Sequence, residues 1–473
     1  MTDLEATLVQ ENPADLLIGD NVRLDPRLDK TFIASIKERG VVMPIVAWRN
    51  DDGQLVVLYG KRRTLAAVEA GRVTVPVMIV AKPAEGDRLV DQVVENDQRA
   101  GLTKSERIAA YEQMALVGLS AGQIAKRTAT GRGDVTAALT VAGSAAAKTA
   151  ATRYETLTLA QAAVFAEFEG DDDAIRRLTE RAKWGAGGGG FEHVAQQLRD
   201  SRKAKTLLDQ AEAAHTATGG RVVKRPEYAD PKCQALADLL TPDKGEVTAE
   251  AHADCPGHAV YFERDWGQQD IAYRPVPVCD NWPAHGHTSR LGASARGGMS
   301  REKSTEDVEA DRAERRAVLA GNKAWRSAET VRRAWLREFA ARPPIATQDS
   351  GTFMATCIAA GDQQFRDAMA SHVFARELLS LPKADEPQPW GTPRAQPLLD
   401  AIDKANPSRK PMIGLLFTLA AYEQALDTMS WRRSDAGATR YLRFIEGHGY
   451  ELSDIERRAC GEKPDVDDTA GGE

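Results

Sequence analysis

The sequence predicts an α+β protein. It reads as a small mixed α/β domain, then a helical domain carrying a helix-turn-helix, a small Cys/His-rich segment and a mostly helical C-terminal region. Three observations carry this reading. Strand-length apolar runs crowd the first 82 residues, two capped helix starts lie close together after residue 99, and cysteine, histidine, proline and aromatic residues gather between 251 and 290. At 473 residues the chain is too long for one core. Its 42% apolar and 28% charged residues suit globular pieces joined by polar linkers. The 6% aromatic content points to alanine-rich helix in at least one of them.

The elements follow in order. Residues 1–14 are expected to be a flexible tail, and 15–98 a compact α/β domain. In it Asp29 can cap a helix that Gly40 ends. Three strand-length runs follow, Val41–Trp48, Leu55–Tyr59 and Val75–Val80, with Asp51-Asp52-Gly53 as a hairpin turn between the first two. A helix over Lys61–Ala70, stopped by Gly71, separates the second and third. Residues 99–205 read as a compact helical domain, opened by capping boxes at Thr103–Glu106 and Ser120–Gln123. Residues 206–250 read as linker, 251–290 as a metal-binding segment and 291–306 as a second linker. A helical C-terminal domain over 307–463 and a disordered acidic tail over 464–473 complete the chain.

Bulk properties exclude several classes. The longest apolar stretch, Met412 to Tyr422, is too short to span a bilayer, so no membrane partner is expected. The N-terminus lacks a secretion signal, and five widely spaced cysteines make no disulfide framework. These features point to a reducing cytoplasm. The net charge of −7 does not exclude nucleic acid, because binding needs a local basic face and not a basic average.

Four constellations carry chemistry. Gly60-Lys61-Arg62-Arg63 places a glycine and two guanidiniums at a strand-to-helix turn, where free N–H groups favour an anion; the same residues also read as a solvated basic helix end. Glu95-Asn96 with Arg99 follows, and a carboxylate beside an amide suits a hard metal ion next to phosphates; its plainer reading is a polar helix end. The third is a helix pair. Ser120–Ala129 reads as the positioning helix, Thr130-Gly131 as the turn and Arg132–Val141 as the recognition helix, although the same pattern more commonly marks an ordinary helical pair. Ile124, Ala125, Val135, Ala138 and Leu139 fall on the packing faces. Arg132, Asp134, Thr136 and Ala137 are left for the major groove, and Lys126, Arg127 and Thr128 for the backbone. Gln123 and Thr130 complete the candidate DNA-binding set, and Gly133 weakens the recognition helix by about 1 kcal/mol. Arg176, Arg177, Arg181, Lys183, Arg199, Arg202, Lys203 and Lys205 make the following stretch basic. The fourth is Cys255, His258, Cys279 and His285, two thiolates and two imidazoles that suit a closed tetrahedral Zn2+ site, with His287 following and His252 as a spare ligand; the spacing is not a standard finger pattern, and its plainer reading is a chance cluster in a loop. No residue stands out as catalytic.

The first two motifs in this order, ahead of a helix-turn-helix, resemble the ParB partition family. That family carries a GERR-x-R-A stretch and then EN-x-QR-x-x-L. Before them it has a helix ending like the Ser35-Ile36-Lys37-Glu38-Arg39-Gly40 seen here. The resemblance covers about residues 15–205. It implies a domain that binds CTP with Mg2+ and closes a homodimer into a clamp on double-stranded DNA, with slow hydrolysis reopening it. By position, Gly60, Lys61, Arg62 and Arg63 would hold the triphosphate, Glu95 and Asn96 would sit on its metal side, and Arg99 would lie near the phosphates. It also implies plasmid, phage or chromosome segregation at the nucleoid or plasmid, with a ParA-type ATPase as partner. Two departures matter. The glutamate of GERR, tied to hydrolysis in the family, is Lys61, so CTPase activity is in question; the usual Gln before proline is Met43. Alternatives are a ParB-like transcription regulator that does not slide, and a nuclease or kinase on the same N-terminal fold.

Overall fold

The computed structural model describes residues 7–18, 28–99, 102–183, 190–227, 230–265, 270–290, 305–345, 347–383, 393, 395–433 and 435–462. Of residues 95–99, 305–309, 311, 312, 347 and 364 it describes the backbone alone. The chain divides into two units, residues 1–191 and 192–473.

The first unit opens with a five-stranded sheet in the order β1-β5-β3-β4-β2. β1 is Thr7–Glu11, β2 Leu17–Ile18, β3 Ile45–Arg49, β4 Leu55–Tyr59 and β5 Val75–Val80. β3 and β4 form an antiparallel hairpin, while β3 and β5 run parallel across helix α2, Lys61–Glu69. The hairpin turns on Gly53, at φ +81°, with the Asn50 side chain accepting from the Gln54 amide at 2.7 Å. Ile45, Ala47, Val75 and Val77 are fully buried, and Ala66 and Ala67 bring α2 onto the sheet without a gap. A fully buried valine contributes about 1.5–3 kcal/mol, so these positions carry much of the domain's apolar stabilisation. Helix α1, Lys30–Arg39, covers the same core through Ile36. Its cap Asp29 accepts from the Phe32 amide at 2.6 Å.

Two expectations are corrected here. The tail proposed for residues 1–14 is ordered from Thr7, because β1 pairs antiparallel along the open edge of β5, Thr7 opposite Ile79. The strand expected from Val41 starts at Ile45. Pro44 has no N–H to give a ladder, so the preceding residues loop out and leave Val42 and Met43 exposed.

Among the described residues, seven helices complete this unit. They are α3 Glu85–Arg99, α4 Lys104–Leu116, α5 Ala121–Arg127, α6 Arg132–Ala142, α7 Ala145–Arg153, α8 Leu159–Glu167 and α9 Asp172–Lys183. Reciprocal capping boxes start α4, α5 and α8, from Thr103, Ser120 and Thr158. α6 is central and packs on α4, α5, α7 and α8. Its buried positions are small, Val135, Ala138, Val141 and Ala142, so neighbouring helices approach closely.

The second unit holds helix α10, Phe191–Ala217, from Glu192 onward. The compact boundary at 191 therefore corrects the expected helical domain of 99–205, because a continuous helix carries the chain past 205. The linker proposed over 206–250 is corrected too. Its first part is the end of α10, and β6, Cys233–Ala235, and β7, Leu239–Leu240, lie inside it. β6 pairs with β9, Tyr273–Asp280, which pairs with β8, His258–Arg264; β7 pairs with β10, Thr288–Ser289. The linker proposed at 291–306 falls largely outside the described residues, as does the tail at 464–473.

The C-terminal helices surround one apolar rod. They are α11 Thr305–Ala341, α12 Thr347–Ala360, α13 Gln363–Ser371, α14 Val373–Leu378, α15 Gln396–Lys404, α16 Lys410–Ala425, α17 Ala436–Gly447 and α18 Asp454–Ala459. α16 contains the longest apolar run of the chain and is buried along nearly its whole length, as a helix apolar on every side must be.

Candidate functional site

The glycine-arginine turn joins β4 to α2. Gly60 caps the helix at φ +105°, a left-handed conformation that a side chain adopts at a cost of about 1–2 kcal/mol. No side chain caps this helix start, which leaves its first amides to solvent or an anion. The two arginines are already engaged. Arg63 donates to the carbonyls of Met43 and Pro44 at 2.5 and 2.8 Å, and a Cβ on Gly60 would meet its Nη2 at 3.1 Å. Arg63 thus clamps the entry of β3 across the glycine. Arg62 pairs with Asp29 at 2.6 Å and lies 4.3 Å over the Phe32 ring. The Asp29 carboxyl sits below its usual range, mainly through the Thr31 hydroxyl and the Phe32 amide, with Arg62 adding to them. Lys61 is half-exposed, with no partner among the described residues. Glu95, Asn96 and Arg99 lie on the last turns of α3, and their side chains are outside the described residues.

The helix pair is set by a tight turn. α5 ends at Arg127, and Ala129 adopts φ +53° so that the Thr130 amide reaches back to the Ala125 carbonyl at 3.0 Å. Ile124, Val135 and Ala138 are fully buried and fix the crossing of the two helices. Lys126, Arg132, Asp134 and Thr136 are exposed. Lys126 and Arg132 have no partner among the described residues, whereas the Thr136 hydroxyl donates to the Arg132 carbonyl at 2.9 Å. Gly133 faces open space.

Four of the expected DNA-binding residues are committed elsewhere. Thr128, expected on the backbone-gripping edge, is buried; its hydroxyl bonds the Ile124 carbonyl at 2.8 Å and the Thr130 hydroxyl at 3.1 Å. Thr130 in turn meets the Tyr111 hydroxyl at 3.1 Å, so both threonines brace the turn from inside. The Gln123 side chain closes the capping box with Ser120 at 2.9 Å. Arg127 pairs with Asp87 of α3.

The third assembly lies in the second unit. His252, Cys255, Cys279 and His287 each offer a ligand atom, and these atoms lie within 4.8 Å of one another. Two of them differ from the expected set, which had His258 and His285. The reason is local. The amide of Cys255 bonds the His252 carbonyl at 3.0 Å, so a turn puts His252 and Cys255 on one face. Gly286, at φ +79°, reverses the chain so that His287, and not His285, points in. His258 bonds the outer side of His252, Nδ1 to Nδ1, at 3.0 Å. Burial drives His252 down to about 4, with His287, His258 and His285 adding to it, so the imidazole is neutral near pH 7. Burial, and then the neighbouring Cys255, raise the Cys279 thiol to about 12.

A cationic cleft of about 560 Å³ in the same unit had no signal in the sequence. Lys203, Arg264, Lys323, Arg326, Arg333 and Arg337 line it, brought together from three elements distant in the chain. Asp200, Asp270 and Glu329 share the lining, and Arg333 pairs with Glu329 at 2.7 Å.

Comparison with known proteins bears on the first unit. The family model of the ParB N-terminal domain matches residues 21–96. The probable chromosome-partitioning protein ParB of Treponema pallidum is 36% identical over 137 residues, 29% of this chain and 41% of its own. The transcriptional repressor protein KorB of Escherichia coli is 32% identical over 126 residues, 26% of this chain and 34% of its own. The chain thus spans about two-fifths or less of the length of these curated relatives. Among solved structures, the C-terminally truncated chromosome-partitioning protein ParB of Caulobacter crescentus complexed to the centromeric parS site is 20% identical. It covers 40% of this chain and 96% of that chain, with a TM-score of 0.29. The matched segment holds α1, the strands β3 to β5 and the Gly60–Arg63 turn, and over residues 21–96 the chain is similar to the ParB N-terminal domain.

Proposed function

We propose that this chain is a sequence-specific DNA-binding protein of the partition type, acting in plasmid, phage or chromosome segregation as a homodimeric clamp gated by CTP with Mg2+. One observation carries the reading: an uncapped helix start behind a left-handed glycine and an exposed Lys126–Arg132–Thr136 face lie on one compact unit. Gly60, Lys61 and Arg62 are the residues suited to the triphosphate, while Arg63 shapes the turn. Glu95 and Asn96 are proposed for the metal side, with Arg99 near the phosphates. Magnesium, when bound, would screen the phosphate charge. Arg62 must leave Asp29 to engage an anion, so the solvent-screened ion pair acts as a weak latch. Lys61 stands where the family motif has glutamate; its positive charge favours phosphate binding and supplies no carboxylate for hydrolysis. The reading therefore favours a nucleotide-binding clamp with little CTPase activity.

Lys126, Arg132 and Thr136 are proposed as the DNA contacts, with Asp134 at the same helix start. A ParA-type ATPase is the partner that this role would call for, at the nucleoid or plasmid. No helix among the described residues is long and apolar enough to cross a membrane. Sequencing of DNA cross-linked to the protein in cells tests the proposal. One sharp site flanked by a broad spread supports a sliding clamp, while many isolated sites refute it. The likeness to a transcriptional repressor favours a second reading, an operator-bound regulator that does not slide, and isolated sites are its signature. Calorimetric titration with CTP and Mg2+ tests the nucleotide arm, and no heat beside a responding family control would refute it.

A further inference from the structure

The Cys/His cluster of the second unit is independent of the DNA-binding reading. His252 and Cys255 come from the turn before β8, Cys279 from β9 and His287 from the turn before β10. The buried apolar residues holding these elements are few, Leu236, Leu239, Val247 and Cys279 in one cluster and Ala259, Tyr261 and Val278 in another, and a core of this size gains from a metal staple. The cluster also leaves polar atoms orphaned. His252 is 2% exposed and its Nε2 has no hydrogen-bond partner; neither ring nitrogen of His287 has one. Buried polar atoms are nearly always satisfied, so three unsatisfied imidazole nitrogens beside two thiols call for a ligand that accepts lone pairs. A tetrahedral zinc with bonds of about 2.0–2.3 Å spaces its ligand atoms roughly 3.3–3.8 Å apart. The observed spread of up to 4.8 Å is within about 1 Å of that frame. The glycine at 257 fits the same picture, because a Cβ there would lie 2.6 Å from the Cys279 sulfur.

We propose that His252 Nε2, Cys255 Sγ, Cys279 Sγ and a ring nitrogen of His287 hold a structural zinc ion. Two thiolates balance the dication, and four protein ligands leave no open position, so the site is structural and not catalytic. His258 is a positioning residue. It accepts from His252 Nδ1, fixes the tautomer that frees Nε2, and orients the ring.

The test uses the full chain, purified without a histidine tag or chelator under reducing conditions, with metal measured by mass spectrometry. One zinc per chain is expected. Cys279→Ser and His287→Ala should lose it, whereas Cys357→Ser and His285→Ala should retain it. His258→Ala should bind zinc about 10–100-fold more weakly in competition with a chromophoric chelator. Should the ligand variants fail to fold, cobalt substitution of the unmutated protein decides, through the visible bands of a tetrahedral site and a thiolate-to-cobalt charge-transfer band. Absence of zinc together with absence of those bands would overturn the proposal. So would a Cys255–Cys279 disulfide in the reduced preparation, or loss of metal in His285→Ala equal to that in His287→Ala.

Discussion

Replacing Arg332 with methionine would strand two carboxylates in the core of the C-terminal helices. Arg332 on α11 is fully buried; its Nε reaches Glu423 at 2.8 Å and its Nη1 reaches Glu456 at 2.7 Å, both also fully buried. Tyr441 donates to Glu423 at 2.8 Å, and Tyr450 and the Ser453 amide donate to Glu456 at 2.9 and 2.8 Å, but these neutral donors do not replace the charge of the guanidinium. Removing one partner of a buried pair typically costs about 3–5 kcal/mol, a large share of the roughly 5–15 kcal/mol that holds a domain folded. At about 2–4 °C per kcal/mol for a domain of this order of size, the unfolding transition of the second unit should fall by about 6–20 °C. Calorimetry of the full chain, with tryptophan fluorescence to identify that transition, measures it. The pH dependence has a definite sign. Burial pushes both carboxyls up; Arg332 and His193 hold Glu456 below its usual value, while burial wins at Glu423. The Glu456 contribution is thus present above the unfolded carboxyl value of about 4.3 and is lost as pH falls through its lower folded value. Without the arginine, burial outweighs the remaining His193, Ser453 and Tyr441 contacts and raises both carboxyls, so the penalty grows as pH rises through their folded values. The gap between the two proteins should therefore widen from about pH 5 to pH 8. Arg332→Met combined with Glu423→Gln and Glu456→Gln should recover much of the loss. A melting temperature within about 2 °C of the unmutated protein at pH 7, or a gap that widens toward acid, would refute the reasoning.

Other outcomes follow from the first unit. Gly60→Ala should lower its stability by about 1–2 kcal/mol, since the left-handed turn is strained for alanine and the new Cβ presses on Arg63; chemical denaturation measures this. Asp29→Asn keeps a good helix cap but drops the ion pair to Arg62, so triphosphate affinity by calorimetry should rise or hold, and a fall would show that Arg62 is not an anion ligand. Arg132→Ala should cost about 1–3 kcal/mol of affinity for the preferred duplex, whereas Lys126→Ala should weaken all duplexes alike and reduce the salt slope by about one, as read by anisotropy over a salt series.

Much of the architecture was legible because local chemistry forces it. Thr103 and Ser120 each start a helix through a reciprocal contact between residues three apart, whereas the equivalent box at Thr158 was not read from the sequence. The Gly60 turn was legible for the same reason, since its conformation is set by the residue itself. The occupation of that turn was not. Arg63 spends its donors on Met43 and Pro44, and Arg62 on Asp29, and both contacts cross from other elements of the sheet domain. Thr128 and Thr130 look like surface hydroxyls in a list of polar residues. Burial against Tyr111 makes them braces of the helix pair instead.

What the sequence by itself determined is therefore the set of elements, the family motifs of the first two hundred residues, and the residue types of a zinc-like cluster. Those depend on neighbours within a turn or a strand. Which histidines meet the two thiols, how Arg332 comes to lie between Glu423 and Glu456, and where β1 finds an edge depend on chain reversals and contacts separated by up to more than a hundred residues. Spacing along the chain constrains such meetings only weakly. Closure of the tertiary structure selects them, because a buried polar atom must find its partner wherever the fold brings one.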